Sequence, residues 1–438
     1  MSRSWTDVPL SPRRVPFFYG WVIVAAGTVG TVSSIPGQTM GVGVFNDFLM
    51  DVLGLDATWL AGAYAAGTIT SSFCLPFAGS LLDRIGARAM VVVSSVGLGL
   101  SMLLLSRCDT IAGFGGTPPF AAAVITIGLC FLAMRFFGQG CQTVVPRVMI
   151  GRWFDRRRGL ATGVAGVFAA FAFNGGTYVL NHMVDRLGWR GTCLALAAGV
   201  GAGMGILGWI FYRDTPEECG LRPDGDAEDS PHAAAHAAKS PAREFTRAEA
   251  VRTAAFWAYS LAPASHALVS TAFFFHLSAL GQEHGIARAG IYELVLYFPV
   301  FSVAANLIGA WLSDRISMRY LFFTFLAAEA AGTLGLVLLS TAAGLWMLVA
   351  GYGIAGGLFV VIMTVAFPQF FGRAHLGAIS GLNMAVMVFA SAIGPILFAL
   401  GRDVTGSFTA ITVACAFMPA VIAVMGLWAR NPQESTQT

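Results

Sequence analysis

Among the ionisable side chains inside long apolar runs of this sequence, four are placed to do chemistry: Arg135, His266, His276 and Glu329. A charge at mid-bilayer costs about 2.5 to 3.5 kcal/mol on insertion scales, so such groups persist where they are paired or face water. A guanidinium does not carry protons near neutral pH, but it can grip a carboxylate bidentately or keep a nearby acid ionised. Arg135 is therefore the candidate anion contact, and the competing reading is a structural pin on backbone carbonyls. Imidazole changes charge in the working pH range. This makes His266 and His276 candidate proton sites, with a neutral, hydrogen-bonded histidine as the equal alternative. They are ten residues apart, about 80° from alignment on a helix. Glu329 is either a structural partner or a further proton site, and Glu293 lies near the end of its run, within reach of water.

The uncharged polar candidates are few: Gln38 and Thr39, Asn174 and Tyr178, Tyr297 and Asn306, and Asn383. Aromatic neighbours such as Phe273, Phe274, Phe275 and Phe359 are plentiful. A pocket of this make-up suits a small, partly apolar molecule better than a sugar, which wants many amide and carboxylate partners. Nothing in the chain resembles enzymatic machinery. There is no phosphate-binding glycine loop with its Lys, no nucleophile elbow and no metal constellation, and no cofactor or nucleic-acid partner is expected. His232 and His236 are four apart, but they have no acidic or Cys company, so no metal is assigned to them.

The elements that position these residues follow from composition. Of 438 residues 56% are hydrophobic and only 11% charged, with 34 Phe and 52 Gly. A soluble chain would carry about 25% charge, so lipid must solvate most of this one. Seven scattered Cys show no paired or metal-like spacing. Apolar runs of spanning length, ~20 residues, fall near 17–36, 57–82, 89–106, 120–150, 159–184 and 191–212. They resume near 254–281, 289–312, 320–340, 344–371, 376–400 and 405–429. This pattern predicts an all-α membrane protein with a basic tail over 1–16, a six-helix bundle over 17–212 and a linker over 213–253. A second bundle over 254–430 and a tail over 431–438 complete it. The tail before Phe17 has no apolar core and does not resemble a signal peptide. Within the linker, 224–242 has the composition of a disordered segment, and 245–252 that of a short amphipathic surface helix.

Placing both termini in the cytoplasm puts 20 of the 26 basic residues there. Arg107, Arg186, Arg190, Arg288 and Arg402 remain outside, and Arg135 stays within a span. With 25 Arg and only Lys239 among those basic residues, the gene has a GC-rich bacterial character. A bacterial inner membrane is the expected location.

The two halves echo one another. Gly79–Arg88 reads Gly-Ser-Leu-Leu-Asp-Arg-Ile-Gly-Ala-Arg, and Ala310–Arg319 reads Ala-Trp-Leu-Ser-Asp-Arg-Ile-Ser-Met-Arg. Asp83, Arg84 and Arg88 align with Asp314, Arg315 and Arg319 at an offset of 231 residues. Both stretches are expected to be short charged loops between spans. A second echo pairs Trp153–Gly163, which follows Pro146, with Phe370–Gly381, which follows Pro368. Charged turns at matching places mark an internal duplication.

The first copy resembles the loop signature of the major facilitator superfamily, G-x-x-x-D-R-x-G-x-R; the second has Ala310 and Ser317 where that signature has Gly. The turn at 153–166 is similar to the fifth-helix signature of the monocarboxylate-porter branch, which includes proton-linked lactate and pyruvate carriers and bacterial oxalate exchange. Phe154, Arg157, Arg158, Ala161, Gly163 and Ala165 fit it, and Phe168 replaces a Gly. Phe17–Trp21 lacks the acid of the branch's first-span signature. The eighth span, from Glu293 to Leu312, lacks its substrate-binding Arg, and 376–400 has no Lys.

The resemblance implies twelve transmembrane helices in two pseudo-symmetric six-helix bundles that rock about a central site. Arg135, in Arg135-Phe136-Phe137-Gly138-Gln139-Gly140, resembles the family's fourth-helix motif associated with proton coupling or anion binding. The seventh span, with His266 and His276, is by resemblance a cavity helix; the ninth, with Glu329, is peripheral. The loops at Asp83, Arg84, Arg88 and Asp314, Arg315, Arg319 would gate the halves. The implied activity is transport of a small organic anion, a monocarboxylate first, with a proton. Efflux of an aromatic or amphipathic compound is the alternative, and a non-transporting membrane sensor the more distant one.

Overall fold

A computed structural model of the chain describes residues 8–225 and 243–434. His232 and His236, and residues 226–242 of the expected disordered linker, lie outside the described residues.

Among the described residues, nine helical stretches are long and apolar enough to cross a membrane. Two of them hold two spans each. Helix α2 (Ala57–Ser106), which follows α1 (Gly20–Ser33), is turned at Gly86 with φ 82° and ψ 166°. The fourth span is α3 (Phe120–Met134), a π-helical stretch over Arg135–Cys141, and α4 (Gln142–Trp153). Helix α5 (Arg158–Leu196) is turned at Gly188 with φ 70°, and its continuation ends in α6 (Gly205–Phe211). The seventh span is α7 (Ala254–Phe275), which carries Pro263, Ser265 and His266. The eighth to eleventh are α8 (Phe298–Ser313), α9 (Met318–Val337), α10 (Ala342–Val361) and α11 (Leu376–Thr405), and the last ends in α12 (Met418–Trp428). The nine stretches give eleven crossings, and α7, which is not among the nine, makes the twelfth; no strand occurs among the described residues.

The charged stretch at 79–88 is not a loop. It is helical throughout except at Gly86, because only a residue without Cβ turns the chain at positive φ in one step. The equivalent position in the second copy is Ser317, at φ −61°, so that turn takes Asp314 to Ser317. The Ser317 hydroxyl accepts from Arg319 N at 3.4 Å and starts α9. Asp56, Thr253 and Thr341 cap α2, α7 and α10 in the same way. Over 245–252, helix is confined to Arg247–Ala250, and Phe245 is buried with its ring 5.8 Å from Phe371.

The chain forms two compact units. The first draws on Met1–Trp153, Phe171–Gly225 and Ser380–Ala385, the second on Phe154–Ala170, Asp226–Ile379 and Val386–Thr438. The core of the first includes Phe45, Leu98, Met102, Ile127 and Phe131. That of the second includes Phe273, Leu336, Leu348, Phe398 and Phe408. Lipid tails are as apolar as Leu, so close packing between helices supplies much of the attraction. Glycines permit it at chosen places: a Cβ on Gly332 of α9 would lie 2.9 Å from Tyr352 N of α10. Large apolar side chains are left outward, as lipid allows; Phe77 is 75% exposed.

Candidate functional site

In the first unit the site begins with a broken helix. Pro36 and Gly37 end α1 in a tight turn over Ile35–Gly37, because Pro supplies no amide to continue the ladder. The break comes close to the π-helical stretch of the fourth span: a Cβ on Gly37 would lie 2.7 Å from Gly138 Cα. Arg135 is 1% exposed, and its Nη1 donates to Gly37 O and to Thr39 Oγ1, both at 3.3 Å. The guanidinium lies 5.2 Å over the Tyr64 ring, whose hydroxyl donates to Thr39 Oγ1 at 2.9 Å. The backbone-pin reading of Arg135 therefore describes one edge of the group. Its buried Nε has no hydrogen-bond partner, and neither does the nearby Gln139 Oε1. Gln38 Nε2 donates to Ser34 Oγ at 3.0 Å.

In the second unit, His266 Nδ1 lies 2.5 Å from Glu329 Oε2. Glu329 is fully buried and its Oε1 has no partner. The imidazole is walled by Phe325, Tyr352 and Phe359, with ring centroids at 6.0, 5.7 and 5.7 Å. One turn beyond Glu329, Thr333 lies 3.5 Å from the Tyr352 hydroxyl. His276 is not part of this group. It caps the end of α7, and its Nε2 is hydrogen-bonded to Pro395 O at 2.9 Å.

The remaining polar candidates are dispersed. Asn306 is buried, and both its amide atoms lack partners. It faces Gly166, where a Cβ would lie 2.6 Å from Asn306 Nδ2. Asn383 is buried in α11 within the first unit. Tyr178 is exposed, stacked on His182 at 6.4 Å, and Tyr297 is exposed at the break before α8. The Asn174 side chain lies outside the described residues.

The charged turns carry defined contacts. Arg152 Nη2 donates to Asp83 Oδ1 at 2.6 Å. Asp314 accepts from Gly159 N at 2.9 Å and Leu160 N at 3.2 Å, and so caps α5. Arg88 Nε donates to Trp209 O at 2.7 Å, its guanidinium lies 4.3 Å over that indole, and Nη2 donates to Val8 O. Arg315 lies 4.2 Å over Trp311 and Arg319 5.6 Å over Phe323; Arg84 is exposed.

Sequence reasoning missed Tyr64, Arg152 and Tyr352. Arg152 stands beside the Trp153 echo and could have been matched to Asp83 as an opposite charge. The two tyrosines carry no local signal, since their partners lie on other helices.

The Major Facilitator Superfamily model matches residues 22–395, with a further match over 259–438. The chain belongs to the Major Facilitator Superfamily. It is thus a membrane transporter rather than an enzyme, with two pseudo-symmetric six-helix bundles. Monocarboxylate transporter 11 of Mus musculus is 25% identical over 419 residues, covering 91% of this chain and 84% of the relative. Monocarboxylate transporter 13 of Bos taurus is also 25% identical, covering 92% and 87%. Among solved structures, the human organic anion transporter MFSD10 (TETRAN) superposes with a TM-score of 0.64 at 12% identity, over 93% of this chain and 99% of its own. The E. coli fucose:proton symporter gives 0.63 at 13%, over 94% and 99%. At those identities the structural likeness concerns the fold of the transporter alone.

Proposed function

We propose that this transporter moves a small organic anion, of the monocarboxylate class, together with a proton, by alternating access. The observation that carries the reading is the buried His266–Glu329 pair at 2.5 Å. Two titratable groups held together inside a span are costly to retain for stability alone, and they can exchange one proton between them. Arg135 supports the anion half: a buried guanidinium holds its place through Nη1 and keeps Nε for another acceptor. The likeness to monocarboxylate transporters supports the substrate class.

In this reading Asp83 and Asp314 bias the two access states through the contacts they make at the charged turns, a matter of a few kcal/mol or less. The arginine distribution supports cytoplasmic termini and a bacterial inner membrane. The rings around His266 favour a second reading, efflux of an aromatic compound.

The test is uptake of labelled lactate, pyruvate and larger carboxylates into proteoliposomes, with and without acid outside. One pH unit supplies about 1.4 kcal/mol per proton, enough for roughly tenfold accumulation at one-to-one coupling. Accumulation that follows the gradient and vanishes in Glu329→Gln is the expected result. No uptake of any acid by folded protein overturns the carboxylate reading in favour of efflux.

A further inference from the structure

The fourth span carries a second arginine, Arg147, further along than Arg135. From Gly138 to Phe154 every residue is buried except Thr143 and Arg147, one turn apart on the same face of α4. The other faces of this stretch are covered. Pro146 and Met149 lie against α1, where a Cβ on Gly27 would come 3.2 Å from Pro146 Cβ. Gln142 Nε2 donates to Ser95 Oγ of α2 at 3.0 Å, and Val144 and Val145 lie beside Leu75 and Leu82 of that helix. What stays open is a polar pair. A charged side chain inside a span faces the bundle interior or water rather than lipid.

The Arg147 guanidinium is not drawn out to bulk water, as the head of a merely snorkelling arginine would be. Its Nη1 is buried without a hydrogen-bond partner, and no carboxylate pairs with it among the described residues. Nor is it pinned to backbone, as Arg135 is through Gly37 O. A half-buried cation with an idle donor is suited to a carboxylate.

Arg135, Gln139, Thr143 and Arg147 follow one another at intervals of four. Each such step drifts forward by about 40° in an α-helix, whereas the wider turn of the π-helical stretch over Arg135–Cys141 holds the first interval back. The four therefore share one side of the span, over roughly 18 Å at 1.5 Å per residue. Along that side Arg135 Nε, Gln139 Oε1 and Arg147 Nη1 are all buried and unpartnered. The Thr143 hydroxyl donates to Gln139 O at 2.5 Å, so its oxygen accepts, and in the open pair only the guanidinium offers hydrogens to an anion.

We propose, on the reading that the cargo is an organic anion, that Arg147 is a second station for it on the span that carries Arg135. The station lies toward the end of the span where Arg152 meets Asp83. An anion entering from that face meets Arg147 before Arg135, and one leaving toward it meets Arg147 last. Its effect on entry is therefore one-sided.

The experiment is initial-rate uptake of labelled lactate, pyruvate and larger carboxylates into right-side-out and inside-out vesicles bearing the full-length chain, so that each face is the entry face in turn. Arg147→Gln is expected to raise KM roughly tenfold for entry from the face of the charged turns, the loss of about one charge-assisted hydrogen bond, and much less from the other face. Arg147→Lys should raise it less than Arg147→Gln, and Arg147→Glu more. An unchanged KM from the charged-turn face in folded Arg147→Gln overturns the station. So does an equal rise from both faces, as a merely structural loss would give, and so does a KM that ignores the charge at position 147. Failure of wild type to move any acid from either face overturns the anion reading itself, and the station with it.

Discussion

His266 and Glu329 are 63 residues apart in the chain, yet Nδ1 of one lies 2.5 Å from Oε2 of the other. The approach of α9 to α10 at Gly332 sets Glu329 among its neighbours, and Tyr352 adds a wall to both. Three histidine and carboxylate candidates stood inside apolar runs; two form a pair and His276 bonds to a backbone carbonyl instead.

Removing one member of a buried pair leaves the other uncompensated, which typically costs about 3–5 kcal/mol. His266→Ala should therefore lower the melting temperature more than the His266→Ala/Glu329→Gln double substitution does. Thermal unfolding in detergent measures this. A double variant as unstable as His266→Ala would show that the pair carries no such energy.

Arg135→Lys is not a conservative change, because the ammonium lacks the planar, delocalised cation that covers the Tyr64 ring while Nη1 bonds Gly37 O and Thr39 Oγ1. We expect Arg135→Lys to lose most transport while still folding, and Thr39→Val to lose less. Initial rates in proteoliposomes decide it; full activity of Arg135→Lys would mean that a point charge suffices.

Asp314 caps α5 through two amides, and loss of such a cap typically costs about 0.5–2 kcal/mol. Asp314→Ala should slow turnover and lower stability by that amount, read as a fall in melting temperature. For Asp83, whose ion pair with Arg152 spans 2.6 Å, Asp83→Asn is expected to lower kcat with little change in KM. Unchanged turnover would remove the turn from the transport cycle.

At the end of the linker, the Thr246 backbone and hydroxyl, then Arg243, hold the Glu249 carboxyl down from 4.5 to about 2. A carboxyl lowered on folding stabilises its cap above its unfolded value and loses that contribution as pH falls through the folded one. The Arg247–Ala250 turn should therefore persist at pH 5 and loosen between about 4.5 and 2. Amide exchange at Glu249 and Ala250 reports this, and Glu249→Gln should remove the pH dependence.

The number of bilayer crossings was legible in the order of residues alone. The apolar runs had to be buried in lipid or in one another, and the doubled Asp-Arg stretch placed the duplication. It also marked Arg135, His266 and Glu329, because a charge inside a run of Phe, Ala and Val is expensive and needs a reason. Helix continuity was less legible. The stretch at 79–88 looked like a loop because it is charged, whereas one glycine at φ 82° makes the whole turn. Partners were set by how the helices pack. Arg135 meets Gly37 because Pro36 breaks the first helix beside the π-helical stretch, and Glu329 meets His266 rather than His276. Spacing along one helix fixes which way a side chain points, but not which neighbouring helix stands there. That depends on where small residues let two backbones come close, as at Gly332 and Tyr352.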